Sequence, residues 1–158
     1  VIFSKLLKLL NTNNFDYFIN SSSLLAIIRK DSFSYYSDID IEILLNDFER
    51  LKKILNKKSL FKHIVISKSQ IVIQSGKNDN FEFEPAILDL MPFKKSKKKI
   101  LLSRDHLKKK SVNVNLIYDK KIYFYNGIPV KIPHDINKYL AKIYGNKFNV
   151  RPVNWWKY

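Results

Sequence analysis

The spacing of apolar residues predicts helices and short strands that alternate along the chain. Apolar side chains that recur every three or four positions, behind polar capping residues, indicate helices that bury one side. The segments predicted to be helical are residues 2–10, 24–28, 46–58 and 136–144. Alternating or short β-branched and aromatic runs indicate strands instead. The predicted strands are residues 15–19, 38–44, 63–67, 70–74, 81–90, 113–117 and 122–125. We therefore expect a mixed α/β or α+β arrangement around a small sheet.

Polar residues mark where these helices begin and end. Residues 20–23 form a capping cluster of one asparagine and three serines before the second helix. Asn46 and Asp47 are predicted to cap the third helix, and Asp135 the last one. Gly145 stands where the last helix is expected to stop.

Length and composition favour one folded domain over residues 1–158. The chain has 158 residues, of which 46% are hydrophobic, so a compact core is expected and general disorder is excluded. It has no cysteine, which excludes disulfides, thiolate zinc sites, iron–sulfur clusters and cysteine nucleophiles. The first residue is Val1, so we expect a piece of a longer protein. No secretory signal or membrane-spanning apolar run is visible, and we expect a cytoplasmic location.

The chain is strongly basic, with 29 Lys and Arg residues against 14 Asp and Glu residues. A basic surface attracts nucleotide phosphates, nucleic acid or an anionic membrane. Codons rich in A and T also produce lysine-rich proteins, so the charge alone identifies no partner.

The alternating segment at residues 38–44 carries two acids on one side of a predicted strand. Asp38 and Asp40 share one face, roughly 6.5–7 Å apart, and Ile39, Ile41 and Ile43 share the other, which we expect to be the buried face. At an effective dielectric near 20, two carboxylates at that distance repel by about 2–3 kcal/mol. A divalent cation such as Mg²⁺ or Mn²⁺ offsets that repulsion. An edge strand with a solvated acidic face has the same pattern.

Two further features favour a phosphate and metal site, although each has another explanation. Ser21, Ser22 and Ser23 lie where a predicted strand opens into a helix, and such a turn can cradle a phosphate. Ordinary helix capping explains the serines equally well. Asp89 lies in an otherwise apolar run, where a lone carboxylate must be paired, ligating or at a strand end.

Several segments, in chain order, resemble the LicD/fukutin family of the nucleotidyltransferase-fold superfamily. Residues 21–29 (Ser-Ser-Ser-Leu-Leu-Ala-Ile-Ile-Arg) resemble its G-G-T-L-L-G-A-V-R segment. Residues 33–41 resemble its G-F-I-P-W-D-D-D-I-D-I, and residues 89–92 its later D-h-F-P. Residues 127–133 and 139–145 resemble its closing strand and its Y-L-x-x-x-Y-G helix. The resemblance implies a small mixed sheet flanked by helices.

The chain also departs from that family's pattern. Ser21 and Ser22 stand where the family has paired glycines, and because serine avoids positive φ we expect an altered phosphate-binding loop. Ser37 stands where the family has another acid. Tyr35 and Tyr36 lie near the place of its Pro-Trp pair, where they can stack on a base or sugar.

The resemblance implies a metal-dependent transferase that moves a phospho-substituent from a CDP-activated donor to a hydroxyl of a cell-surface glycan or its precursor. The residues implied in catalysis and in binding Mg²⁺ or Mn²⁺ are Asp38, Asp40 and Asp89. Asp89 is also implied as the base toward the acceptor hydroxyl. The residues implied in binding donor phosphate are Ser21, Ser22, Ser23 and Arg29.

Two other functions remain open at this stage. A nucleotidyltransferase that moves a nucleoside monophosphate to a small molecule, protein or RNA would use the same acids. A non-catalytic basic module would bind nucleic acid, although no RNA-binding signature is present and nucleic acid is not the expected partner. The lysine-rich segment from Lys94 to Lys110 is either a solvated loop, a nucleic-acid contact or a peripheral contact with the inner face of the membrane and a glycolipid acceptor.

Overall fold

The computed structural model describes residues 2–31, 38–57, 60–75, 87–102, 111–146 and 148. Within these residues the helices are α1 (Ile2–Thr12), α2 (Ser21–Arg29), α3 (Leu45–Lys57) and α4 (Ile136–Tyr144). The strands in the same residues are β1 (Tyr17–Ile19), β2 (Asp38–Leu44), β3 (His63–Ile66), β4 (Ile71–Gln74), β5 (Ile87–Lys95), β6 (Lys99–Leu102), β7 (Ser111–Asn113), β8 (Lys121–Tyr125) and β9 (Ile128–Ile132). The mixed α+β class predicted from the sequence is confirmed.

One mixed sheet holds β1 to β7, and β2 and β5 form its parallel pair. Its main path runs in the order β1-β2-β5-β4-β3, and the other neighbours on that path are antiparallel. The second half of β5 also pairs with β6, which in turn pairs with β7. β2 and β5 run in the same direction, and their register places their first residues, Asp38 and Ile87, side by side.

The strand β2 is buried on both of its faces. Ile39, Ile41 and Ile43 are fully buried, as the alternation predicts. The opposite face is covered as well, because α2 packs against β2 and α4 packs against α2. Asp40 is 6% exposed and Glu42 is fully buried there. The expectation of a single buried face was therefore wrong, since the alternation within one strand does not show which helices pack on its other face.

A second sheet, the hairpin of β8 and β9, packs against elements from the N-terminal part of the chain. Asn126 and Gly127 make its turn with φ values of 47° and 75°, the conformation that suits a two-residue hairpin. β9 contacts both α1 and β1. Asn11 of α1 donates from Nδ2 to the carbonyl oxygen of Pro129 at 2.7 Å. This packing buries one side of the amphipathic helix α1, as its spacing predicts.

Several predicted segments differ from the structure. Helix α2 begins at Ser21, so the three serines lie in its first turn and Asn20 alone caps it, and β5 continues to Lys95, beyond the predicted strand end at residue 90. Helix α3 begins at Leu45, so Asn46 and Asp47 lie inside its first turn and do not cap it. Asp47 instead accepts a hydrogen bond from the backbone N–H of Asp16 at 2.6 Å, a contact that links α3 to the segment before β1. The predicted strand at residues 113–117 is divided between β7 and a 3₁₀-helix, Val114–Leu116.

The lysine-rich segment is partly regular structure. It enters the sheet through the end of β5 and through β6, which its pairing with β7 holds in place. Residues 96–98 connect these two strands, whereas residues 103–110 lie outside the described residues, as do residues 81–86 with Pro85. In the part of the chain that the structure describes, no helix combines the length and the hydropathy that crossing a bilayer requires.

Candidate functional site

Three carboxylates meet on one face of the central parallel pair. Asp40 of β2 lies directly opposite Asp89 of β5, and Asp38 lies two residues before Asp40 on the same face. Neighbouring strands are about 4.8 Å apart, so this register brings the side chains into contact range. One carboxylate oxygen from each of the three lies within 4.8 Å of the others. The structure thus brings together the acids that the sequence nominated.

The donor set fits a hard divalent cation. At an effective dielectric near 20, unit negative charges at this separation repel by about 3 kcal/mol for each pair. Asp40 is almost fully buried, and Asp38 and Asp89 are half-buried, so water screens them only in part. Carboxylate oxygens are the ligands that Mg²⁺ and Mn²⁺ prefer. Their use as metal ligands remains a prediction of the sequence that this geometry supports.

The chain turns into α2 through an unusual backbone conformation. Asn20 is extended and caps α2, and its Oδ1 accepts a hydrogen bond from the backbone N–H of Ser21 at 2.7 Å. Ser21 has a φ of +50°, in the left-handed region that favours glycine. The LicD/fukutin family, which this segment resembles, has a glycine at this position. Ser21 therefore adopts here the conformation that serine avoids.

The three serines have different surroundings. The hydroxyl of Ser22 donates a long hydrogen bond to Oδ2 of Asp40, at 3.4 Å, and its side chain is half-buried. The hydroxyl oxygen of Ser23 accepts from the backbone N–H of Asp40 at 3.0 Å, which fastens α2 to β2. The hydroxyl of Ser21 is buried and has no hydrogen-bond partner among the described residues. Of the three, Ser22 has its hydroxyl beside the carboxylates.

Arg29 lies at the other end of α2, away from the serines. It follows Ser22 by seven positions, which is about 10 Å along a helix. Its Nη2 donates to the carbonyl oxygen of Phe148 at 3.0 Å. The structure does not bring Arg29 together with the serines, and its predicted contact with donor phosphate has no support from this geometry.

Behind the carboxylates lies a buried polar network that the sequence reasoning missed. Asn20 donates from its backbone N–H to the carbonyl oxygen of Asp40 at 2.9 Å and from Nδ2 to Oε1 of Glu42 at 2.9 Å. The hydroxyl of Tyr139 on α4 donates to Oδ1 of Asn20 at 2.7 Å. All of these side chains except that of Asp40 are fully buried. The network joins α4, the turn before α2 and β2, so it fixes the backbone of Asp40.

A second missed residue, Gln70, contacts the third acid. Its Nε2 donates to Oδ1 of Asp89 at 2.8 Å. The register explains this contact, because Val72 lies opposite Asp89 and Gln70 precedes it by two residues on the same face. Gln70 belongs to the predicted hairpin, but its contact with Asp89 becomes apparent only from the pairing of β4 with β5.

A cleft of about 390 Å³ lies near the C-terminal end of α2, on the side of the first turn of α4. The residues that line it are Ile28, Lys121, His134, Asp135, Ile136 and Asn137. Asp135 caps α4, and the hydrogen bonds from the backbone and side chain of Lys138 lower the pKa of Asp135. The cleft includes none of the three clustered carboxylates. Tyr35 and Tyr36, which the sequence predicts to stack on a base or sugar, lie outside the described residues.

Comparison with known proteins shows the fold. No protein-family model and no curated protein sequence matches the chain. The crystal structure of the lincosamide antibiotic adenylyltransferase LnuA, bound to lincomycin, is similar with a TM-score of 0.54 and 11% sequence identity. The similarity covers 81% of this chain and 75% of that one. The chain therefore has the nucleotidyltransferase fold that its motifs predict, and the narrower LicD/fukutin resemblance stays a prediction.

Proposed function

We propose that this chain is a divalent-metal-dependent nucleotidyltransferase that moves a nucleoside monophosphate from a nucleoside triphosphate to a hydroxyl group. The observation that carries the proposal is the convergence of Asp38, Asp40 and Asp89 to within 4.8 Å of one another. It is supported by the position of these acids beside the first turn of α2 and by the fold that the chain shares with an adenylyltransferase.

The residues have distinct roles in the proposed reaction. Asp38, Asp40 and Asp89 would hold Mg²⁺ or Mn²⁺, which when bound neutralises phosphate charge and helps to align the donor. The hydroxyl of Ser22 and backbone N–H groups in the first turn of α2 would bind donor phosphate.

The chemical step is an in-line substitution at the α-phosphorus. The acceptor hydroxyl oxygen forms a bond to that phosphorus, and the bond to the pyrophosphate oxygen breaks. Asp89 would accept the hydroxyl proton, and pyrophosphate leaves with the electron pair of the broken bond. Atoms and charge balance without a further reactant.

A second candidate is the transfer of a phospho-substituent from a CDP-linked donor to a glycan hydroxyl. The match of residues 21–29 and 89–92 to the LicD/fukutin pattern favours it. The same carboxylates serve both reactions, since each displaces a phosphate leaving group. We place nucleotidyl transfer first because the similar solved structure is an adenylyltransferase.

The fragment retained on the product separates the two reactions. Purified protein would be incubated with Mg²⁺ or Mn²⁺, each of the four nucleoside triphosphates or a CDP-linked donor, and a panel of hydroxyl-bearing acceptors. Mass spectrometry of the product is expected to show an added nucleoside monophosphate, with pyrophosphate released. An added phospho-substituent with CMP released would identify the second candidate.

The variant Asp40→Asn tests whether the carboxylates carry the activity. We expect it to lower turnover by at least about 100-fold while the protein remains folded, because one ligand charge is lost from the centre. Asp119→Asn is the matched control, since Asp119 is an exposed acid in the turn before β8. Full activity in Asp40→Asn would refute the proposal, and nucleic-acid binding that is indifferent to this change would point to the non-catalytic module.

A further inference from the structure

The two facing acids of the site are fixed by different means. Asp40 is held through its backbone, which donates to Ser23 and accepts from Asn20. Asp89 is approached by a side chain from a neighbouring strand, and the Nε2 of Gln70 donates to its Oδ1 at 2.8 Å. The third carboxylate thus accepts a hydrogen bond from a residue outside the nominated site.

Gln70 is itself anchored at its backbone by the turn between β3 and β4. Its backbone N–H donates to the hydroxyl oxygen of Ser67 at 3.0 Å, and its carbonyl oxygen accepts from the backbone N–H of Ser67 at 2.8 Å. The same hydroxyl oxygen also accepts from Ser69 at 3.3 Å. The turn therefore fixes the backbone position of Gln70. From there its side chain reaches Asp89 diagonally across β4 and β5.

The chemistry of the donor suits a metal ligand. An ionised carboxylate only accepts hydrogen bonds, so the amide group of Gln70 must present its N–H to Asp89. An amide donor orients the carboxylate and leaves its full negative charge for a cation. A lysine in the same place would neutralise that charge and compete with the metal.

We propose that Gln70 is a positioning residue that orients the Asp89 carboxylate for binding a divalent cation. This inference rests on the proposed function and adds to it the hydrogen bond that completes the metal site. Hydrogen-bond partners of metal ligands typically contribute 10–100-fold to metal affinity. We expect loss of the Gln70 amide to weaken Mn²⁺ binding by about 10-fold.

The test is a titration of the intact chain with Mn²⁺ alone, with free Mn²⁺ measured by electron paramagnetic resonance. Gln70→Met keeps the length of the side chain and removes the donor, and Gln70→Ala is measured beside it so that the result does not depend on how one replacement packs. Gln74→Met is the matched control, because Gln74 lies on β4 two residues beyond Val72 with an exposed side chain. The Mn²⁺ binding that Asp40→Asn abolishes is assigned to the site of the three carboxylates. Thermal melting without metal reports any purely structural effect.

Each outcome bears on one of the two proposals. Weaker Mn²⁺ binding in both Gln70 variants, with wild-type affinity in Gln74→Met and unchanged melting, supports the positioning role. Wild-type affinity in the Gln70 variants, while Asp40→Asn loses binding, overturns that role and leaves the proposed function intact. Absence of any Mn²⁺ binding that depends on Asp40 overturns the proposed function and this inference with it.

Discussion

A residue with positive φ stands at each end of α2, but the two residues lie in very different surroundings. Ser21, the first residue of α2, has a φ of +50°, and Lys30, which follows the last turn, has a φ of +55°. At Lys30 this is an ordinary helix end, because its backbone N–H closes the last turn by donating to Ala26 and Ile27 and its side chain is exposed. At Ser21 the same conformation is buried and turns the chain from β1 into the helix beside Asp40.

The difference between the two ends separates Ser22 from Arg29, although the sequence had grouped both as phosphate-binding residues. Ser22 at the first turn contacts the carboxylate of Asp40, whereas Arg29 at the last turn contacts the backbone at Phe148. Both were nominated for donor phosphate. A helix presents its free N–H groups at its N-terminal end, so an anion is expected there and not beside Arg29.

Donor binding should therefore depend on one end of α2 and not on the other. We expect Ser22→Ala to raise the KM for the nucleotide donor by about 5–10-fold, since it removes one hydrogen bond to a charged group. Arg29→Met keeps much of the length of the side chain and should leave that KM within about twofold, because Arg29 lies some 10 Å away. Steady-state kinetics with varied donor concentration measure both.

Circular dichroism before and after heating is the control for Arg29→Met, which loses the hydrogen bond to Phe148 and is expected to melt at a lower temperature. A KM increase in Arg29→Met equal to that in Ser22→Ala would support the sequence prediction that both residues bind donor phosphate. It would also contradict the separation of the two ends.

A smaller effect is expected from relieving the left-handed conformation at each end. Ser21→Gly should raise the free energy of unfolding by about 0.5–1 kcal/mol, because it removes both the strain and a buried hydroxyl without a partner in the described residues. Lys30→Gly should give a similar gain without changing catalysis. Urea denaturation measures the stability of both variants.

Ser21→Ala separates strain from the buried hydroxyl, since it removes the hydroxyl and keeps the Cβ atom. If Ser21→Ala stabilised the protein as much as Ser21→Gly, the strained φ would contribute nothing measurable. If Ser21→Gly destabilised it, the turn before α2 would need the serine for a reason other than its conformation.

Local patterns in the sequence predict the helices and strands of the site better than they predict the contacts between those elements. The strand at residues 38–44 was predicted with the same bounds as β2, because strict alternation is a local signal. The convergence with Asp89 came from a family resemblance, since no local pattern shows that β5 lies parallel to β2. The register of Asp40 with Asp89 is a property of the folded sheet.

The parts that could not be predicted all depend on pairing between distant segments. Gln70 contacts Asp89 only because β4 and β5 pair in one register. Glu42 is buried because Asn20 donates to it and Tyr139 of α4 covers Asn20. Asp47 looks like a helix cap in the sequence, but the segment before β1 supplies its partner.

The central claim is that Asp38, Asp40 and Asp89 form one divalent-cation site, and diffraction from crystals grown with Mn²⁺ tests it most directly. The manganese anomalous signal locates the ion without reference to activity. We predict one peak with an oxygen atom from each of the three carboxylates at about 2 Å. A protein saturated with Mn²⁺ elsewhere, with Asp89 turned away from Asp38 and Asp40, would contradict the account.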